Sequence, residues 1–305
     1  LKKNFHKSKA QKKQVWKNLK KQNCSNYFCM MKANGSLFLC AIIFCLAACN
    51  NNPQSKNSTN DSAHVSSNNY PQIILNLTQQ LSQNPDSSGL RMKLASAFDS
   101  LGDFKNALVQ MDTLLMRDSL NYGFWFSEGQ ILQDSKDTIH AIESYAHAAK
   151  IYPSPDALLS MANLYAEQKN AKSIAICNRV KGLGLGGEYD AHCDFIAGVY
   201  NARTGQSEKA LQLFDACIAN DFTYMEAYIE KGLVYFDEKN YTKALQVFQF
   251  ASTVDKLFPD SYYYMARCYE MMGVKDSAVL RFKQSLSLDK TMNEAHEGLK
   301  RLGAE

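Results

Sequence analysis

Six small residues recur along the chain at nearly constant spacing: Ala95, Gly129, Ala162, Gly198, Gly232 and Ala266, separated by 34, 33, 36, 34 and 34 positions. A second small residue follows at Ala107, Ala141, Ala210, Ala244 and Ala278, with Ile174 breaking that series. Apolar residues between them fall at helical rather than alternating spacing, so each period predicts two helices joined by a turn. A fixed period of this length means one two-helix unit copied and stacked, because a single unit cannot bury its own apolar face.

With the first small residue set at position 8, the repeats start at 88, 122, 155, 191, 225 and 259. Position 11 then reads Phe98, Leu132, Tyr165, Asn201, Tyr235 and Tyr269, and position 24 reads Met111, Tyr145, Asn178, Phe214, Phe248 and Phe282. Gly102, Gly205 and Gly273 mark the turn inside a repeat, where a residue of positive φ stops the first helix. Lys136, Lys169 and Lys239 take that place elsewhere. The third repeat departs most, with Ile174, Asn178 and Lys181 where small or apolar groups belong, and predicts a loosened second helix. Ile73, Ile74, Leu77 and Leu81 share one helical face ahead of the first repeat and predict a capping helix over 71–87. Residues 291–305 predict a helix that covers the last repeat.

Trp125, Gly129, Ala141, Tyr145, Ala148 and Pro153 of the second repeat carry a pattern that resembles the tetratricopeptide repeat family. The resemblance covers about two thirds of the chain, over 88–290. It implies an all-α, right-handed α-α superhelix of six helix-turn-helix repeats. The residue types make physical sense: antiparallel helices approach where a side chain is nearly absent, and a ring fills the gap.

By the same resemblance, the inner faces of the first helices line a concave groove. Position 5 supplies Phe126, Leu159, Phe195, Ile229 and Tyr263, with Val199, Leu233 and Phe236 further in. Gln130, Asn163, Arg203 and Arg267 lie among them. An apolar floor with a few amide and guanidinium donors suits an amphipathic helix or an extended peptide. The family's carboxylate clamp for chaperone C-termini needs Lys at position 5, and no position 5 here holds one.

Charge divides the chain unevenly. Residues 1–48 hold ten of the 34 basic residues and no acidic one, so 49–305 carry 24 basic against 30 acidic residues, a net of −6. That balance argues against nucleic acid as a partner. Residues 37–48 are apolar but too few to cross a bilayer, which needs roughly 20. They fit the apolar core of a secretory signal. Leu46-Ala47-Ala48-Cys49 resembles the lipobox of bacterial lipoproteins, which implies a signal at 30–48 and an acylated Cys49. Several acyl chains on one cysteine anchor firmly where a single chain does not. Residues 1–29 read as an upstream extension preceding the true start; the rival reading keeps them as a basic cytoplasmic segment. Residues 49–70 are Asn/Ser-rich and read as a tether spanning roughly 25 Å.

No GxSxG, phosphate-binding loop or paired-carboxylate signature appears, so neither an enzyme nor a cofactor is expected. Gly182, Gly184 and Gly187 have dinucleotide-fingerprint spacing but follow a helix, without the βαβ unit the fingerprint needs. Cys177, Cys193, Cys217 and Cys268 form no CxxC pair and have no His at ligand spacing, which gives no metal site. Cys177 and Cys193 lie on adjacent predicted helices and make the leading disulfide pair, against a reading as small core residues. The expectation is a lipid-anchored, non-catalytic scaffold at the outer membrane, facing the periplasm, that binds another envelope protein. The alternative is a self-associating structural component, and the oligomeric state stays open.

Overall fold

The computed structural model describes residues 70–304 and contains, among them, fourteen α-helices and no strand. The expected signal, lipobox cysteine and tether lie outside the described residues. The chain divides into two compact units that meet at Leu114 and Leu115. The first holds α1 (Gln72–Gln83), α2 (Ser88–Ser100) and most of α3 (Phe104–Arg117). There Tyr70 donates to Asp103 at 2.6 Å and sets its ring edge-on to Phe98, tying the residue before α1 to the α2–α3 turn.

The second unit alternates first and second helices. They run α4 (Tyr122–Asp134), α5 (Thr138–Ile151), α6 (Pro155–Glu167), α7 (Lys172–Lys181), α8 (Gly187–Arg203), α9 (Ser207–Asn220), α10 (Met225–Asp237), α11 (Tyr241–Val254), α12 (Pro259–Met271) and α13 (Lys275–Leu288), closing with α14 (Asn293–Arg301). Each first helix packs on its own second helix, and that second helix packs on the next first helix. The fold is an α-α solenoid, as the periodicity predicts.

α11 shows why the pattern works. Asn240 caps it by accepting the Lys243 N–H, and Ala244, Phe248 and Ala251 fall on one face and are completely buried. Phe248 lies against Gly232 of α10 so closely that a Cβ on residue 232 would run into the ring. Gly129 meets Tyr145 and Gly198 meets Phe214 in the same way, at 2.7 and 2.6 Å from a notional Cβ. Burying one such ring contributes roughly 2–3 kcal/mol. Gly298 of α14 closes on Phe282, 2.5 Å from a notional Cβ, so the terminal helix repeats the same small-residue device.

Both kinds of turn recur. Inside each repeat, the residue after the positive-φ position returns its N–H to the position 11 carbonyl: Asp103 to Phe98, Asp137 to Leu132, Asn170 to Tyr165, Gln206 to Asn201, Asn240 to Tyr235 and Val274 to Tyr269. This is a Schellman closure of the first helix. Between repeats, Asp118, Asp221, Asp255 and Asp289 each accept the N–H two residues on. Among the second helices of 115–304, α7 is shortest, at ten residues against fourteen in α5, α9, α11 and α13. Its inward face carries Ser173, Cys177 and Val180 at the spacing of Ala244, Phe248 and Ala251, so Cys177 takes the place of the ring and Asn178, which the period aligns with it, is exposed. The glycine-rich stretch that follows takes positive φ at Gly184 and Gly186. Among the described residues no helix is long and apolar enough to cross a membrane.

Candidate functional site

The first helices of the second unit stand side by side, α6 against α8, α8 against α10 and α10 against α12. One guanidinium ties three of them together. Arg203, at the end of α8, reaches Glu167 of α6 through Nε and Nη2 at 2.9 and 3.0 Å. Its Nη1 and Nη2 reach Glu230 of α10 at 3.1 and 3.2 Å. The Arg203 and Glu230 side chains are only 7% and 3% exposed. Burial raises the Glu230 carboxyl, with the Arg203 charge and hydrogen bonds pulling it back down. Asp237, one helix end further on, is raised by burial and lowered by Arg203 in the same sense. A single cation therefore binds two carboxylates, and its charge reaches a third at the end of α10.

The second predicted guanidinium is also engaged. Arg267 donates to the Tyr263 hydroxyl at 3.1 Å, lies 3.3 Å from Glu270 and sits over the Phe236 ring at 5.7 Å. Arg301 of α14 clasps the same Glu270 at 2.9 and 3.0 Å. Neither arginine stands as an open donor for a partner. Arg203 is spent between helices, and Arg267 on Tyr263 and Glu270 of its own helix and the Phe236 ring of α10.

The expected apolar floor divides in two. Leu159, Phe195, Val199, Ile229, Leu233 and Tyr263 are buried, and Asn163 with them. They pack between helices: Phe195, for instance, stacks on Tyr224 at 4.9 Å and tilts against Phe214. Phe126, Gln130, Phe236 and Arg267 keep part of their surface, and Arg203 only its edge. Phe126 stacks on Tyr122 and meets Tyr145, and Phe236 meets Tyr241 edge-on. The Asn163 Oδ1 is buried without a hydrogen-bond partner among the described residues.

Reading the sequence for apolar and donor groups missed the acidic side of this wall. Glu167, Arg203 and Asp237 all occupy position 13, and Glu230 lies seven residues before Asp237. Position 13 read down the repeats, as Asp134, Glu167, Arg203 and Asp237, was the available signal. Among the described residues no group of three His, Cys, Asp or Glu side chains could hold a metal ion.

Residues 122–155 and 260–290 match models of the tetratricopeptide repeat. The chain is similar to a tetratricopeptide repeat protein from Parabacteroides merdae, at 16% identity and a TM-score of 0.64 over 75% of this chain and 91% of that one. It is similar to the type IV pilus biogenesis factor PilW, at 18% identity and a TM-score of 0.55 over 70% and 98%. Yeast Tom70 aligns at 16% identity and a TM-score of 0.52 over 76% of this chain and 57% of that one. At these identities the likeness speaks for the fold alone. No curated protein matches the chain.

Proposed function

We propose that the chain is a membrane-tethered, non-catalytic scaffold of the bacterial cell envelope that holds a peptide or helix of another envelope protein against its first-helix wall. Tetratricopeptide repeats serve protein–protein interaction in general, and the wall supplies the rest of the reading. The observation that carries it is the Arg203 cluster: carboxylates of two first helices share one guanidinium of a third, and its charge also reaches Asp237. Such a wall favours a partner segment that brings positive charge. The half-buried rings of Phe126 and Phe236 flank it and offer apolar contact. The sequence at 37–49 supports the tether, with acylated Cys49 as its anchor.

Photo-crosslinking amino acids at Gln130 and Phe236, in intact cells, should trap one segment of one partner. Gln246, exposed on a second helix, should not. Phe236→Ala should weaken that capture without loss of helicity. Equal trapping from Gln246 would remove the groove from the account. Cys49→Ser should release the protein from membranes; persistent membrane association would remove the tether.

One observation favours a second reading, self-association. Large apolar side chains project from the inter-repeat turns, with Leu120 77%, Phe222 68% and Leu257 75% exposed. Light scattering of the detergent-solubilised chain separates the two readings. A concentration-dependent oligomer supports self-association, and a monomer at all concentrations supports the scaffold.

A further inference from the structure

The joint between α7 and α8 holds a feature that the partner-binding reading does not use. Cys177 of α7 and Cys193 of α8 are both buried, unbridged thiols on helices that pack together, Cys177 one turn before Lys181 and Cys193 next to Asp194. One turn along, Lys181 of α7 pairs with Asp194 of α8 at 2.5 Å, and Asn220 reaches the same carboxylate at 3.4 Å. These contacts hold the two cysteines opposite each other. Cys217 and Cys268 are buried as well.

We infer that Cys177 and Cys193 form an oxidisable clamp whose disulfide fastens the second helix of the third repeat to the first helix of the fourth. The co-reactant is a disulfide oxidant, such as a small-molecule disulfide or the disulfide of an oxidoreductase. Cys193, lowered by the Cys177 thiol and by the Lys181 charge, is the attacking thiolate. It displaces one thiolate from the oxidant and forms a mixed disulfide. The Cys177 sulfur, giving up its proton, then attacks the Cys193 sulfur and displaces the second thiolate. Two thiols of the protein are oxidised, the oxidant is reduced to two thiols, and both protons end on them.

Access comes from the local structure. α7 is ten residues long, lacks a side-chain N-cap and runs into the glycine-rich turn, so its end opens at lower cost than its neighbours. Closing the bond removes that opening. Glu167 on α6 and Arg203 on α8 lie on either side of this joint, so oxidation would also fix the spacing of the wall they build.

The test uses the whole folded chain equilibrated with oxidised and reduced glutathione, alkylated, and digested without reduction for mass spectrometry. A linked peptide pair containing Cys177 and Cys193 is expected, with Cys217 and Cys268 recovered as alkylated thiols. The melting temperature should rise by several degrees on oxidation, and Cys193→Ser should abolish the rise while Cys217→Ser keeps it. Recovery of Cys177 and Cys193 as alkylated thiols or as glutathione adducts, or a linkage through Cys217 or Cys268, would overturn the inference. Peptide mapping of the unmutated chain decides this even where a serine variant fails to fold. None of these outcomes bears on partner capture, so the scaffold reading is tested separately.

Discussion

The fifth repeat and the third are built from the same two-helix plan and held together by different means. In the fifth, Gly232 lets α10 close on the Phe248 ring, and Ala244 and Ala251 bring the helices together on either side. Met225, Tyr228 and Ala251 then form a compact core with Ile218, Val247, Val254 and Phe258 at the next joint. In the third, the period aligns Ile174 with the alanine and Asn178 with the ring, but the buried face of α7 is one residue out of step and carries Ser173, Cys177 and Val180. Asn178 is exposed, α7 is four residues shorter than α11, and the α7–α8 joint is marked by the buried Cys177 and Cys193 and the Lys181–Asp194 ion pair. Small-residue and ring pairs therefore set regular stacking, and where one lapses the chain substitutes polar and sulfur contacts at a more yielding joint.

Truncating the ring position in both repeats gives the widest separation. Phe248→Ala should cost about 4 kcal/mol, because a completely buried ring leaves a cavity that α10 cannot collapse into. Asn178→Ala, at the position the sequence period aligns with it, should change stability by less than about 0.5 kcal/mol, since the side chain meets solvent and Cys177 fills the inward place. Urea unfolding of both variants measures the difference. Comparable losses would mean that the third repeat does rest on Asn178 and that the contrast is false.

The joint next to the third repeat should also be the acid-sensitive one. His192, on α8 beside Cys193, is pushed down to about 4 by burial, from an unfolded value near 6.5. A depressed histidine must stay neutral to remain folded, so the unfolded chain binds the extra proton. The stability it contributes is complete above pH 6.5 and lost as pH falls towards 4, about 3 kcal/mol in all. His192→Gln should flatten the melting temperature between pH 6.5 and 4 relative to the unmodified chain. An unchanged slope would move the acid sensitivity elsewhere.

How much of this could be read from the residues follows the same division. Gly129, Gly198 and Gly232 declared the repeat, its length and its packing, because a small residue opposite a ring has one geometric meaning. Lys136, Lys169 and Lys239 marked turns through their place in the period, although lysine is not a turn residue. The wall was harder. Leu159, Phe195, Ile229 and Tyr263 stand in the column that faces inward, but they are large enough to be taken up by neighbouring helices, which a one-dimensional pattern cannot register. Arg203 and Arg267 looked like donors for a ligand. Their carboxylate partners lie on other helices or, for Glu270, three residues on, and a count of residue types does not join them.

The smallest expected effect bears on where the two repeats stop differing. Lys169 and Lys239 both take positive φ, at 58° and 59°, and both are followed by the same return hydrogen bond, Asn170 to Tyr165 and Asn240 to Tyr235. A side chain in that conformation costs roughly 1–2 kcal/mol, while glycine there gives back roughly 0.5–1 kcal/mol of unfolded-state entropy. Lys169→Gly and Lys239→Gly should therefore each stabilise the protein by about 0.5 kcal/mol, as read from paired thermal melts. Equal gains would place the third repeat's irregularity in α7 and the glycine-rich turn alone. A gain at Lys239 without one at Lys169 would show that the loosening begins earlier, at the turn inside the repeat, and that its first helix is not held as firmly as that of the fifth.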